Sequence, residues 1–536
     1  MAKKPNILIM YSDQHSARAL GCYGNTQIKT PHLDALAADG VQMNNAFCNN
    51  PICTPSRMCM LSGQYVHNFG YYGLAGECPE HLPSIFTHLR KEGYTNGVVG
   101  KIHTPAGWVS NACDFMADGY GFETPVTLEN WQDEEGCQGL KNDDYAAYLK
   151  ERGLYELRDD KVLHEQFDLY AHRRGQGIDA RPSRMPDEHS FESWCADEAV
   201  KFISDCNEQE KPFCLWLTLP RPHQTYCPSQ KYWDLYEGME LDLPPNAETT
   251  MEHRSSVSRA KLKAFRENDD WMNYEPRDYE SARRRVLRGY YACVSQSDAA
   301  YGEVLAKLEE LGITDDTIIV YTTDHGEFAG EHGMVEKAPG ISFSCVTHIP
   351  MIFKYKGCPK GEVRQNMVES VDVFPTLCSL AGLPLPNWAD GVDITKTVEA
   401  DEACKTVAVT ENPHTKTIHT QQYKLTQFLP EFHGGEDFGE LYDRINDPWE
   451  MKNLYFDPEY QSVVQDLRYQ LYCWLVRQTR NKTVSPRIPR PLAPKNEYDV
   501  DTPWDLARTQ GVWNEDDKIG RDFCDKLIEA NHILYL

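Results

Sequence analysis

The chain has 536 residues, 41% hydrophobic and 25% charged, proportions that exclude a disordered or fibrous protein and allow a large buried core. Its 81 acidic against 54 basic residues give a formal net charge of −27, which argues against nucleic acid and acidic membrane as bulk partners. Any anionic ligand must therefore be held by a local basic pocket.

The first residues, Met1 to Pro5, run directly into a short apolar stretch, Ile7–Tyr11, too brief for a secretory leader. No run reaches the ~18 apolar residues of a membrane span. Eighteen cysteines are scattered with no CxxC pair and no regular framework, as expected of reduced, buried thiols in a cytoplasmic protein.

Asn6–Tyr11 reads as a buried strand ending at Ser12-Asp13-Gln14, followed by a helix over Pro31–Asp39 with Leu33, Leu36 and Ala37 on one face. Ile52-Cys53-Thr54-Pro55-Ser56-Arg57 describes a helix start with a reactive group aimed at it. Pro55 suits the first helical position, where its missing N–H costs nothing, and Cys53 then sits just ahead of the helix. Arg57, one turn in, can direct its fork of donors back at the same place, which makes an anion site with a side chain inside it. A second helix over Leu82–Lys91 precedes a strand, Tyr94–Val99, ending at Gly100-Lys101-Ile102-His103. The stretch Glu192–Asp205 reads as helix, and Pro212–Leu219 as a strand ending at Pro220-Arg221-Pro222-His223. A long helix, Glu280–Leu311, leads into the strand Thr317–Thr323, which ends at Asp324-His325-Gly326.

Helices alternating with fully apolar strands imply an α/β fold: a large, mostly parallel sheet sandwiched by helices. In such sheets ligands bind beyond the carboxyl ends of the strands, and all four polar clusters lie at such ends, so they are expected to face one crevice. Two insertions interrupt the alternation, Gly107 to about Arg184 and Glu237 to about Asp278, the second carrying Met251, Trp271 and Tyr274. A Pro-rich turn at Gly382–Pro386 marks a lobe boundary, giving a catalytic domain over 1–385. Short alternating segments at Thr406–Thr410, Lys416–His419 and Tyr423–Gln427, then a helix over Tyr460–Arg477, predict a smaller α+β subdomain over 386–480, built on a short antiparallel sheet. Residues 481–536 read as an arm over the surface or onto another subunit, with a core-like pattern only at Phe523–Ile533.

Asp13-Gln14 and Asp324-His325 offer hard oxygen ligands and one imidazole from two strand ends, a donor set suited to Ca²⁺ or Mg²⁺ rather than a thiolate zinc site. Lys101 and Lys337 can supply cations for an anionic group, and His103 and His223 can carry protons. Cys48, Cys53 and Cys59 lack the paired ligands of a zinc finger, and Gly100-Lys101 lacks the rest of a phosphate loop.

Cys53-Thr54-Pro55-Ser56-Arg57, followed by Leu61-Ser62-Gly63-Gln64-Tyr65, resembles the signature of the type I sulfatases, in the alkaline phosphatase superfamily, whose cysteine is oxidised to formylglycine. The resemblance extends over most of residues 5 to about 477. It implies that Cys53 becomes the nucleophile, oriented by Arg57, and that Lys101 and Lys337 clamp sulfate. It makes His223 the general acid and gives His103 an assisting part. Metal ligands fall on Asp13, Gln14, Asp324 and His325, beside Cys53, with Gln14 where many members have a second Asp. The expected ion is Ca²⁺, with Mg²⁺ or Mn²⁺ as alternatives. The implied activity is hydrolysis of a sulfate ester, with a carbohydrate as the expected carrier, after maturation by a formylglycine-generating enzyme; a homo-oligomer is compatible with the reading. Two alternatives stand beside it: a phosphonate monoester or phosphodiester hydrolase of the same superfamily, and an unmatured sulfate-glycan binding protein.

Overall fold

The computed structural model describes residues 3–74, 79, 82–105, 108–118, 144–158, 180–249, 251–266, 279–433 and 435–478. Trp271, Tyr274, the Phe523–Ile533 pattern and the whole 481–536 arm lie outside the described residues.

Nine strands form the main sheet: β1 (Asn6–Asp13), β2 (Val41–Phe47), β3 (Thr95–Gly100), β4 (Phe115–Asp118), β5 (Phe213–Pro222), β6 (Thr317–Thr323), β7 (His348–Ile349), β8 (Ile352–Lys354) and β9 (Glu362–Glu369). Their order is β4-β3-β5-β1-β6-β8-β2-β7, with β9 paired to β2. The block β4-β3-β5-β1-β6 is parallel throughout, whereas β8 and β7 run antiparallel to their neighbours. The strands that end in the four polar clusters are therefore the adjacent, parallel β3, β5, β1 and β6, and their carboxyl ends share one edge.

Strand β1 is buried along its whole length because both faces are covered. Ile7, Ile9 and Tyr11 pack with Met60, Leu61, Ile85, Leu89, Phe374 and Leu377 from helices on one side. Leu8 and Met10 pack with Leu33, Ala199, Ile203, Val304 and Leu308 from helices on the other. The helix Tyr279–Glu310 spans 32 residues, and the helices Phe191–Glu208 and Pro31–Ala38 lie with it.

A second sheet is an antiparallel meander of β10 (Ala408–Asn412), β11 (Thr415–His419), β12 (Tyr423–Phe428) and β13 (Gly439–Asp443). Its Val409, Ile418, Leu425 and Leu441 bury against Leu467, Leu471 and Trp474 of the helix Gln461–Gln478. Five members of the main sheet, β2, β4, β7, β8 and β9, were not expected. The Gly107–Arg184 insertion, read as an interruption of the alternation, supplies β4 and the helix Asp144–Glu151, and the residues of β2 and β9 had been given no element. Glu440 to Asp443 lies in β13, which completes the small sheet. No helix among the described residues is long and apolar enough to cross a membrane.

Candidate active site

The helix that carries Cys53 begins at Cys53 itself and is buried through to Ser62. Pro55 thus falls at the third helical residue rather than the first, still inside the turn whose N–H groups have no intrahelical acceptor. Cys53 Sγ lies 3.3 Å from His325 Nε2 and 3.8 Å from Asp13 Oδ1, so the helix start, the end of β1 and the end of β6 meet at one sulfur. Burial and the neighbouring Asp13 charge push the thiol up to about 11.

Arg57 does not direct its fork at Cys53, as the sequence suggested. Its guanidinium, fully buried, pairs through Nη2 with Asp13 Oδ2 at 2.8 Å and Asp324 Oδ2 at 3.1 Å. Nη1 donates to the Lys101 carbonyl at 2.6 Å and to Thr218 Oγ1 at 2.8 Å. The ring faces of Tyr11 and Trp216 lie 5.2 and 5.6 Å from it. Arg57 is thus a brace behind both carboxylates and across three strands. Thr218, the one hydroxyl inside the apolar run Phe213–Leu219, also donates to the Lys101 carbonyl at 3.0 Å; the sequence reading missed it, although a polar residue within a buried strand is a signal that could have found it.

The turn after β3 brings Lys101 Nζ to 2.6 Å from Asp13 Oδ2. Gly100 makes this possible: its φ is +107°, and a Cβ there would stand 2.1 Å from the Thr218 carbonyl oxygen. Burial opposes the Asp13 charge, but Lys101, with Arg57 and Lys337, outweighs it and holds the carboxyl well below its usual range. Asp324 Oδ1 accepts from the backbone N–H of Gln14 at 2.8 Å and of His325 at 2.9 Å. His325 Nδ1 pairs with the Gly326 carbonyl at 2.9 Å, which fixes the tautomer that leaves Nε2 facing Cys53.

Gln14 adopts a left-handed φ of 67°, and Tyr290 Oη donates to its carbonyl at 2.9 Å. Lys337 Nζ, from the loop after β6, donates to Gln14 Oε1 at 2.8 Å and to His223 Nε2 at 3.0 Å. His223 Nδ1 donates to the Gln224 carbonyl at 2.8 Å. Burial, then Lys101 and Lys337, push His223 well below the ordinary histidine value. Burial, then Lys101 and Arg57, do the same to His103.

All ten residues singled out from sequence therefore converge, His103 sharing the electrostatic field of Lys101, Arg57 and Asp13. Glu327 and Gln224, which hold the Gln14 amide, had no sequence signal of their own. Asp13, Cys53, Asp324 and His325 place one donor atom each within 4.8 Å of one another, a spacing and a donor chemistry that fit a divalent cation. Two carboxylates face three cationic side chains, so a dication bound there leaves the pocket strongly positive in a chain of net charge −27. Such a pocket suits an anion.

The sulfatase family model matches residues 5–383. The chain belongs to the sulfatase family. Within the alkaline phosphatase superfamily this makes it a sulfuric ester hydrolase. A model of the C-terminal region of N-sulphoglucosamine sulphohydrolase matches residues 330–476, which include the small sheet. The sulfatase is 26% identical over 466 residues to a choline-sulfatase of Rhizobium meliloti, covering 85% of this chain and 83% of that one. It is 25% identical over 530 residues to an N-acetylglucosamine-6-O-sulfatase of Bacteroides thetaiotaomicron, covering 87% and 85%. Its fold is similar to that of an enzyme solved with its substrate D-glucosamine-2-N,6-O-disulfate, with TM-score 0.68, 22% identity, and coverage of 90% of this chain and 100% of that one. A phosphonate monoester hydrolase from Silicibacter pomeroyi shares the fold equally well, with TM-score 0.70, 21% identity, and coverage of 89% and 96%.

Proposed function

We propose that the sulfatase hydrolyses a sulfate monoester on a carbohydrate, using a formylglycine made from Cys53 and a Ca²⁺ ion held by Asp13, Gln14, Asp324 and His325. The observation that carries this reading is the place of Cys53: a buried sulfur 3.3 Å from His325 Nε2, beside Asp13, in a pocket that also holds Lys101 and Lys337. A thiol pushed up to about 11 is a poor nucleophile at neutral pH, and a sulfated cysteine has no ready exit. Formylglycine supplies a hydrated aldehyde in place of the thiol, one hydroxyl to attack sulfur and one whose collapse expels sulfate. The cation supplies Lewis-acid charge to the sulfate oxygens.

The chain's own residues do the rest. Lys101, anchored on Asp13, and Lys337, anchored on Gln14 and His223, set two ammonium groups against the sulfate oxygens. His223 is lowered first by burial and then by Lys101 and Lys337; an incoming anion offsets the lysine part and so favours the proton that Nε2 would pass to the leaving oxygen. Residues 1–385 hold these groups as a catalytic domain, and 386–480 form the subdomain that braces them.

The carbohydrate assignment draws on the N-acetylglucosamine-6-O-sulfatase relative and on the fold shared with the glucosamine disulfate complex. A second reading, hydrolysis of a phosphonate monoester, is favoured by Gln14 in place of a second Asp and by the phosphonate hydrolase fold. A panel of defined sulfated mono- and disaccharides, run beside a phenyl phosphonate monoester, separates the two: the preferred reading requires the highest kcat/KM on a sulfated sugar. Mass analysis of the tryptic peptide bearing residue 53 from active enzyme tests the nucleophile, and unmodified Cys53 at full activity ends that part of the reading.

A further inference from the structure

Glu327 is 1% exposed, lies two residues beyond His325, and has no part in the chemistry above. Two of its hydrogen bonds nonetheless lead to the site, to Gln14 and to the residue before Lys337. Oε2 accepts from Gln14 Nε2 and, at 3.2 Å, from Tyr226 Oη. Oε1 accepts from the backbone N–H of Ala329 at 3.0 Å and from that of Glu336, the residue before Lys337. Gln224 Oε1 is the second acceptor for Gln14 Nε2, at 3.0 Å.

A glutamine amide is nearly symmetrical in shape and opposite in chemistry at its two ends, so it serves a cation only if its oxygen is the end that faces it. Both Glu327 oxygens act as acceptors here. Glu327 Oε2 and Gln224 Oε1 therefore claim the nitrogen end of the Gln14 amide, and its Oε1 is left to face the site, where it accepts from Lys337 Nζ at 2.8 Å. An aspartate at position 14 would need no such orientation, having two equivalent oxygens. With a glutamine, the choice of end must come from a neighbour.

We propose that Glu327 is a positioning residue that fixes the Gln14 amide with its oxygen toward the cation site. The inference rests on the reading above that Gln14 is among the residues holding the cation. Outer partners of metal-binding side chains typically carry about 10–100-fold in metal affinity.

The test is a double-mutant cycle read by Ca²⁺ affinity rather than by turnover. Chelator-treated full-length enzyme is titrated with Ca²⁺ by calorimetry for wild type, Glu327→Gln, Gln14→Ala and the double variant, with metal-free melting as the folding control. Glu327→Gln is expected to weaken Ca²⁺ binding by about tenfold or more. In the Gln14→Ala background the same change is expected to have no further effect, because there is no amide left to orient. Wild-type affinity in Glu327→Gln, or losses that add in the double variant, overturns the proposal. Wild-type affinity in Gln14→Ala instead overturns the underlying assignment of Gln14, and the two failures are thereby distinguished. If Glu327→Gln does not fold, Gln224→Ala removes the second acceptor of the same amide and carries the same cycle: a loss absent from the Gln14→Ala background supports the proposal, and an additive loss overturns it.

Discussion

Arg57 shows how far a single residue's role can be read from a motif. Its presence four positions after Cys53 was legible, because a helix start with a cysteine and an arginine is a local pattern; its direction was not, because Asp13, Asp324 and Thr218 reach it from three different strands. Deleting one of those carboxylates has two consequences. Asp13→Ala or Asp324→Ala removes an anionic donor from the cation site, and elemental analysis of either purified variant is expected to show little bound metal. Asp13→Ala also leaves Arg57 and Lys101 short of a buried partner, at a cost of about 3–5 kcal/mol, measurable as a lower urea midpoint. Full metal occupancy in both variants would contradict the ligand assignment. The two site cations differ from His223 in what they touch. General acid catalysis is worth about 10²–10⁴-fold and matters most for poor leaving groups. His223→Ala is therefore expected to lose far more kcat/KM on a sugar sulfate than on an activated aryl sulfate, whereas Lys337→Ala lowers both alike. Equal losses for His223→Ala on the two leaving groups would remove it from the acid role.

At the scale of elements, the loop that presents His325 is held by the small sheet. Gly326 N–H donates to the Val346 carbonyl at 2.9 Å and Glu327 N–H to the Cys345 carbonyl at 3.0 Å, so the site rests on the short helix Ser344–Thr347. A Cβ on Gly326 would stand 2.0 Å from the Cys345 oxygen, and Gly326→Ala is expected to abolish metal binding by lifting His325 away. That helix is in turn gripped by Glu450, which accepts from Ser344 N at 2.8 Å and Oγ at 2.6 Å and pairs with Lys424 of β12 at 2.5 Å. Burial opposes the Glu450 charge, but Lys424 and the Ser344 donors hold it at about 2. Lys424→Met strands a buried carboxylate, so a loss of about 3–5 kcal/mol in urea unfolding is expected together with weaker Ca²⁺ binding; unchanged affinity would show that the two are uncoupled. Strands β1, β3, β5 and β6 were legible because each is an apolar run with a polar end. Strand β2, with Gln42, Asn44 and Asn45 in it, was not, because its polar groups are satisfied by chain far away: Asn45 donates to the Gln365 carbonyl at 2.7 Å and accepts from Arg444 at 2.7 Å.

Across the whole molecule, the junction between the two sheets is lined by histidines that folding keeps neutral. His419 stacks on Phe47 with ring centres 4.2 Å apart, His348 lies 5.5 Å from the same ring, and His332 stacks on Phe343 at 3.9 Å. Burial, then Arg444 and Arg18, push His348 down to about 3; burial, then Lys424 and Arg444, lower His419; burial, then Arg254, lowers His332. Because the folded values lie below the unfolded one, the unfolded chain binds the extra protons: stability is complete above roughly pH 6.5 and is lost as pH falls through it. His348, held at about 3, contributes a slope of about 1.4 kcal/mol per pH unit below about pH 6, and His419 and His332 act in the same direction. Urea midpoints taken from pH 7.5 to 5 are expected to fall, and less steeply in His419→Asn; a flat profile would contradict the assignment. The order of the sheet also sets a clock. Strand β1 lies at its centre, yet its two neighbours, β5 and β6, come far later in the chain. Cys53 leaves the ribosome roughly 270 residues ahead of His325, an interval of about 15–55 s at ~5–20 residues per second. During that time the walls that leave the sulfur 1% exposed have not been made, and the thiol is open to a modifying enzyme. On the proposed conversion of Cys53 to formylglycine, the yield of active protein is a race between catalysis on a nascent chain and the arrival of Asp324-His325, so slowing translation is expected to raise the converted fraction when the modifying enzyme is scarce.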